Sequence, residues 1–298
     1  MAITRRAECT LSPSEDDTLR LIANDLGSSI EVSTHEKLAD GDTNPLLTRI
    51  AHHFAANRMV VSTRSGSPVG AGLAGSSALN IALCAAFQRW NHQPIEPESL
   101  MQLAGDLEAQ VIKVPTGTQD YRPATFGGIA TLMLRPGSIE RVPLQIDHEE
   151  LSARILLVYT GQSRNSGINN WLITKAHIDG DKAIFELFEE IRDIAISMKL
   201  ALEQRNWIEV GKVISAEWEL RKRLAPTVTN HRIDKIIQAG LDAGAMSGKL
   251  CGAGGGGCAI FVIDPTTRHA VQRAVESAGA EILDYSIDTK GLDIEIEK

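Results

Sequence analysis

The chain has 298 residues, 43% of them hydrophobic, which is enough for one large domain or two ordinary ones. Thirty Lys and Arg against 38 Asp and Glu leave a formal net charge of -8, which argues against a nucleic-acid reader and against a surface for anionic lipid. Cys9, Cys84, Cys251 and Cys258 form no CxxC pair, and the start, Met1 to Leu11, lacks the apolar core of a signal peptide. Neither a zinc site nor a disulfide framework is indicated, no apolar run reaches membrane-spanning length, and a cytoplasmic location is expected.

In chain order, alternating or β-branched stretches predict strands at Ala2 to Leu11, Ile30 to Thr34, Met59 to Thr63 and Ile129 to Leu134. Helical spacing appears at Pro45 to Ala56, Ser77 to Trp90 and about Pro97 to Lys113, the last with a proline in its first turn. The least structured connection is Pro136 to His148, so a domain boundary is placed near residue 150, giving domains 1-149 and 150-298. The second half opens with an apolar strand, Arg154 to Tyr159. Amphipathic helices follow at about Asn165 to Ala176, Asp181 to Gln204 and Trp207 to Leu224, the last closed by Arg221-Lys222-Arg223 and broken by Pro226. A further helix, His231 to Ala243, leads into glycine-rich sequence. Strands are then expected at Ala259 to Ile263, Ile282 to Ile287 and Leu292 to Ile296. Trp171, Trp207 and Trp218 fall on apolar helix faces and read as core, while His52-His53 has no third ligand at metal spacing.

The segment Pro68-Val69-Gly70-Ala71-Gly72-Leu73-Ala74-Gly75-Ser76-Ser77-Ala78 lies between a strand and a helix. Its glycines let backbone approach a ligand closely, and the helix start points unpaired N–H groups and a positive dipole end at whatever sits there, most plausibly phosphate. It lacks the Gly-Lys-Ser/Thr ending of a Walker loop. A Gly-Ser loop that merely caps a helix has the same composition. A second run, Lys249-Leu250-Cys251-Gly252-Ala253-Gly254-Gly255-Gly256-Gly257-Cys258, puts small residues in a row that contribute little to a core, and each glycine loses much backbone entropy on ordering. Close approach to a ligand would explain that cost; a flexible linker is the alternative, disfavoured by the strand that follows at once.

Pro-x-x-x-Gly-Leu-x-x-Ser-Ser-Ala at a strand-to-helix turn resembles the second motif of the GHMP kinase superfamily, which includes galactokinase, homoserine kinase and mevalonate kinase, and the run from Lys249 to Cys258 resembles its third. Ala74 stands where relatives often carry glycine, a mild change unless that residue needs φ > 0. The resemblance implies an α+β, two-domain fold: an N-terminal domain like domain 2 of ribosomal protein S5 and a ferredoxin-like C-terminal domain with added helices, with ATP between them. It also implies ATP phosphates on Pro68, Gly70, Ala71, Gly72, Leu73, Ala74, Gly75, Ser76, Ser77 and Ala78, and phosphate or substrate beside Gly252, Ala253, Gly254, Gly255 and Gly256.

A phosphoryl acceptor needs a carboxylate within hydrogen-bond reach of its hydroxyl, and Mg²⁺ bridging phosphates needs hard oxygen ligands. Glu108 on a helix, followed by Gly117-Thr118-Gln119-Asp120, is similar to the family's metal-ligand glutamate and catalytic aspartate. That similarity implies Mg²⁺ on Ser77 and Glu108, and Asp120 facing the acceptor hydroxyl. Tyr159-Thr160-Gly161-Gln162-Ser163-Arg164, together with Gln119-Asp120-Tyr121 and Phe126-Gly127-Gly128, resembles the sugar kinases of the heptose-7-phosphate kinase and fucokinase type. Arg164 would there hold a sugar phosphate or hydroxyl.

The implied activity is transfer of the ATP γ-phosphoryl group to a hydroxyl of a sugar or sugar phosphate, a heptose 7-phosphate or a related hexose. The expected partners are therefore a small-molecule substrate, with neither nucleic acid nor membrane; a homodimer is left open. A nucleotide-binding protein without turnover is an alternative, as is an isoprenoid-pathway kinase or decarboxylase. The family's opening segment, Pro-x-Arg-x-x-Leu-x-Gly-Gly-x-x-Asp, has no copy here, and Met1 to Leu11 resembles the strand that follows it.

Overall fold

The computed structural model describes residues 1–38, 43–163 and 167–297, with backbone alone for 167–170. By contacts the chain divides into two units: Met1–Ser67 with Ala74–Gly128 and Asp288–Lys298, and Pro68–Leu73 with Ile129–Ile287. The boundary expected near residue 150 falls inside the second unit, because Ile129, Leu144 and Ile146 bury themselves beside Leu151 and Ile155.

In the first unit β1 (Ala7–Pro13), β2 (Leu19–Ala23), β3 (Ser28–Val32) and β4 (Met59–Ser65) form a sheet in the order β1-β4-β2-β3. Strand β4 runs antiparallel to β1 and parallel to β2. Met59, Val61 and Thr63 are buried while Val60 and Ser62 are half-buried, so every second side chain of β4 enters the core. Leu19, Leu21 and Ala23 do the same on β2, a five-residue strand, interrupted by Arg20, that the sequence did not announce. Over this face lie α1 (Pro45–His53), α2 (Gly75–Trp90) and α3 (Pro97–Ile112). Asn44 caps α1 by accepting from the Leu47 N–H, and prolines open α1 and α3, where their missing N–H is not needed. Ile50, Ile81, Leu83, Phe87, Leu100 and Leu107 meet the strands. Each contributes roughly 1.5–3 kcal/mol by leaving water. A short helix, α4 (Tyr121–Phe126), completes the unit.

Residues 288 to 292 also belong to the first unit, but Leu292 to Ile296 do not form the expected strand. Before them the chain turns at Asp288, whose carboxylate pairs with the Arg6 guanidinium at 2.6 Å and accepts the N–H groups of Lys290 and Gly291 at 2.9 and 3.2 Å. The Leu292 N–H donates to the Thr125 carbonyl at 3.1 Å.

In the second unit β7 (Ile155–Tyr159), β8 (Ser247–Leu250), β9 (Cys258–Val262) and β10 (Glu281–Ile282) make an antiparallel sheet in the order β10-β7-β9-β8. β7 and β9 read as unbroken apolar runs because both faces are covered. Leu156, Val158, Ala259 and Phe261 enter one core, Ile155, Ile260 and Val262 another. Around them lie α5 (His148–Arg154), α6 (Gly167–Ile178), α7 (Lys182–Glu203), α8 (Trp207–Leu224), α9 (His231–Asp242) and α10 (Arg268–Ser277). The strand expected at Ile129 to Leu134 is β5 (Ala130–Arg135), and the stretch after it, expected to be least structured, holds its hairpin partner β6 (Ser138–Pro143), the Pro136-Gly137 turn placing Gly137 at φ +75°. The strand expected over Ile282 to Ile287 shrinks to β10. Trp207 and Trp218 are buried, but Trp171 is 37% exposed: an apolar helix face does not ensure that something covers it. His52 lies edge-on to His35, and His53 against Phe54.

Candidate active site

In the first unit β4 is followed by a loop that delivers the chain to α2. Ala74, the residue before the helix, sits at φ +58°, ψ +31°, a left-handed conformation that strains a Cβ-bearing residue. The first bond of the helix is Ala78 N–H to the Ala74 carbonyl at 2.9 Å, so the N–H groups of Gly75, Ser76 and Ser77 precede the ladder. That turn of α2 therefore offers donors and the positive end of the dipole together.

Glu108, on α3, is only 8% exposed and lies opposite this turn. Its Oε1 accepts from Ser76 Oγ at 2.9 Å; its Oε2 accepts from Ser77 Oγ at 3.2 Å and from the Tyr121 hydroxyl at 2.5 Å. Burial, followed by the bond to Glu108, raises the Tyr121 phenol above its ordinary value, so it stays a neutral donor. A buried carboxylate surrounded by hydroxyl oxygens suits a hard cation such as Mg²⁺, which is usually held by one or two carboxylates with phosphate oxygens and water. Among the described residues no cluster of three or more His, Cys, Asp or Glu could make an all-protein metal cage.

Asp120 immediately precedes α4, with helical backbone angles and without capping that helix. Its neighbour Tyr121 turns inward to Glu108. This places the proposed base one residue from the ring that orients the proposed metal ligand. Tyr121 is the site residue that sequence reading missed. The available signal was chemical: a buried tyrosine hydroxyl ordinarily finds a partner. Arg122 beside it is also buried and pairs with Glu98 at 2.9 Å.

In the second unit the chain turns between β8 and β9 through the glycine-rich run. Gly254 and Gly257 lie at φ +82° and +85°. A Cβ on Gly257 would stand 2.5 Å from the Ala71 carbonyl oxygen, and one on Gly254 2.6 Å from that of Val228. The loop is accordingly pinned to its own chain: Cys258 N–H donates to Ala71 O and Gly255 N–H to Val228 O, both at 2.7 Å. Gly257 N–H donates to Gln162 O at 2.7 Å, and the Gly257 carbonyl accepts from Thr160 N–H and Oγ1 at 3.0 and 2.7 Å. At Gly254 and Gly257 the backbone approached is thus the protein's own, where sequence reading expected a ligand. The structure brings together the Gly70–Ala71 segment, the run after Gly252 and the Thr160–Gln162 turn. Arg164 lies outside the described residues.

Two family models match the chain: GHMP kinases N terminal domain over residues 45–128 and GHMP kinases C terminal over 198–281. The chain belongs to the GHMP kinases, with their two-domain fold of mixed helices and sheets, and is a small-molecule kinase that transfers phosphate from ATP to a hydroxyl. Among curated relatives it is 30% identical to a D-glycero-alpha-D-manno-heptose 7-phosphate kinase from Campylobacter jejuni, over 95% of this chain and 86% of the relative. It is 26% identical to a mevalonate kinase from Thermococcus onnurineus, over 96% of this chain and 81% of the relative. Among solved structures it matches a D-glycero-D-manno-heptose 1-phosphate kinase from Bacteriodes thetaiotaomicron with a TM-score of 0.76 at 21% identity, over 97% of this chain and 88% of that one. Among the described residues no helix is long and apolar enough to cross a membrane.

Proposed function

We propose that the chain phosphorylates a hydroxyl of a sugar phosphate of the heptose 7-phosphate type, with ATP as donor and Mg²⁺ as cofactor. The observation that carries the catalytic part of this reading is the buried Glu108 carboxylate with the hydroxyls of Ser76, Ser77 and Tyr121 on it, beside the first turn of α2. The choice of acceptor rests on the Campylobacter jejuni relative, 30% identical along nearly the whole chain.

Ser77 and Glu108 would hold Mg²⁺, which when bound neutralises charge on the β- and γ-phosphates. The loop Pro68 to Ala78 would present backbone donors to the ATP phosphates, and Gly252 to Gly256 would lie beside the phosphates or the acceptor. Tyr121, by donating to Glu108 Oε2, orients that carboxylate. Asp120 would accept the proton of the acceptor hydroxyl as its oxygen attacks the γ-phosphorus. Most of the rate enhancement then comes from positioning and charge stabilisation, as in other phosphoryl transfers.

The test is ATP consumption with a panel containing D-glycero-D-manno-heptose 7-phosphate, the unphosphorylated heptose, fucose, galactose and mevalonate. The expected result is selective turnover of the heptose phosphate. Turnover of mevalonate alone would move the chain to the isoprenoid branch. Nucleotide binding without turnover of any sugar would overturn the substrate assignment.

A further inference from the structure

The glycine-rich run is fixed toward its far end by backbone bonds, from Gly255 to Val228 and from Gly257 to Gln162. At its near end a backbone bond, from Cys251 N–H to the Cys258 carbonyl at 2.8 Å, is joined by a side-chain strut. Arg221, in the last turn of α8, donates from Nη1 to the carbonyl of Gly252 at 3.1 Å. Its Nε donates to Glu217 Oε1, one turn back on α8, at 2.7 Å. The other oxygen of Glu217 takes the Lys249 ammonium at 2.5 Å, and Lys249 stands on β8, three residues before Gly252.

Glu217 thus ties α8 to the strand that enters the loop and to the loop's first carbonyl. The Glu217 side chain is 12% exposed and that of Lys249 16%. Burial pushes the Glu217 carboxyl up, but Lys249 and Arg221 outweigh it and hold the group below the usual carboxylate range. The Glu217–Lys249 pair is largely buried, whereas the Arg221 side chain is 27% exposed and its bond to Gly252 faces solvent, and neither kind of pair is a strong source of stability. What they supply is one defined geometry. A run of glycines needs that most, because it has the largest choice of conformations to give up.

We propose that Glu217 and Arg221 are positioning residues for this kinase, setting the entry of the Gly252–Gly256 loop so that its N–H groups, apart from that of Gly255, which Val228 holds, meet a phosphate group of a bound substrate. The proposal rests on the reading of that loop as a phosphate loop. The phosphate belongs either to the nucleotide or to the phosphorylated acceptor, and the arms of the test separate them.

Wild type, Arg221→Gln, Arg221→Lys, Glu217→Gln and Gly255→Ala are compared as full chains. Binding of the magnesium complex of a non-hydrolysable ATP analogue is measured by calorimetry. Initial rates are measured with ATP and D-glycero-D-manno-heptose 7-phosphate, and melting temperature is recorded alongside. Arg221→Gln and Glu217→Gln are expected to weaken one phosphate-bearing ligand about tenfold, in KM or Kd rather than kcat, as for loss of a charge-assisted bond. Arg221→Lys should recover part of the loss. A change confined to the nucleotide and its analogue assigns the nucleotide phosphate; one confined to the heptose phosphate assigns the acceptor's.

A lowered melting temperature with every KM and Kd unchanged would make the network a structural one and overturn the proposal. If Gly255→Ala also leaves both ligands unaffected, it is the phosphate-loop reading beneath that fails. If Gly255→Ala weakens binding while Arg221→Gln does not, the strut alone fails. Should Arg221→Gln not fold, the partial loss expected in Arg221→Lys decides. Its absence there, with wild-type binding in Glu217→Gln, counts against the strut. Failure of wild type to turn over the heptose counts against the substrate and leaves the nucleotide phosphate as the one the strut serves, so unchanged analogue binding in Arg221→Gln then overturns the proposal.

Discussion

The carboxylate cluster at the start of α2 and the glycine-rich run between β8 and β9 solve the same problem by opposite means. Around Glu108 the geometry is held by side chains: three hydroxyls converge on two oxygens. Between β8 and β9 it is held mainly by main chain, with glycines lying where any Cβ would strike a neighbouring carbonyl. The first should therefore lose chemistry before stability when a functional group is altered, and the second should lose stability as soon as volume is added.

The largest effect should come from Asp120→Asn, next to the first region. Turnover is expected to fall about 10²–10⁴-fold, the usual contribution of a general base, with nucleotide affinity nearly intact. Rapid-quench or coupled assays beside calorimetry check this. Wild-type turnover would remove Asp120 from the mechanism.

Gly257→Ala probes the other region. The added methyl meets the Ala71 carbonyl at 2.5 Å, and the residue must keep φ +85°. A loss of about 2 kcal/mol or more in urea unfolding is expected from strain and overpacking. A stability unchanged from wild type would mean that the loop relaxes freely.

Glu108→Gln removes charge while keeping an acceptor for the hydroxyls. The Mg²⁺ concentration for half-maximal rate should rise about tenfold or more with little change in melting temperature, as loss of a charged oxygen ligand implies. A superimposable magnesium titration would refute the metal assignment.

Ala74→Gly should act in the stabilising direction, by about 1 kcal/mol, because the native left-handed conformation suits glycine and strains alanine. Chemical denaturation measures it, and a destabilised variant would show that the Ala74 methyl contributes packing that outweighs the strain.

The smallest effect is a slope with pH. Glu217 is held below its ordinary value in the folded chain, so it binds fewer protons folded than unfolded. Its contribution is complete above the ordinary carboxylate pKa and is lost as pH falls from there through the folded-state value. Glu217→Gln should flatten that acid part of the stability profile; an unaltered slope would show that other carboxylates account for it.

The two regions were also unequally legible. The α2 loop could be found in the order of residues, since a strand, glycines and a Ser-Ser helix start follow one another directly in the chain. Helices α1, α2, α3, α7, α8 and α9 carried their period in local spacing, and the structure adds the caps, Asn44 on α1 and Asp181 on α7. Strands β2 and β6 carried no such mark, and the strand expected over Ile282 to Ile287 kept only its start, because short stretches acquire a face only when a partner strand supplies one.

Glu108 and Asp120 could be singled out by chemical type, but Tyr121 could not be joined to Glu108 from thirteen positions away. That contact depends on α4 turning back onto α3. The glycines of the run were visible as residues that need an explanation. That Gly254 and Gly257 lie against Val228 and Ala71 was decided by packing of segments far apart in the chain. In the sequence Arg221 stood in the basic close of a helix and Lys249 at the head of the glycine-rich run, and only the packing of α8 against β8 joined them through Glu217 into one network. Local order sets turn chemistry and helical period because those depend on neighbours within a few residues. Which carboxylate meets which hydroxyl depends on long-range closure, where the energies come from burial shared between distant elements.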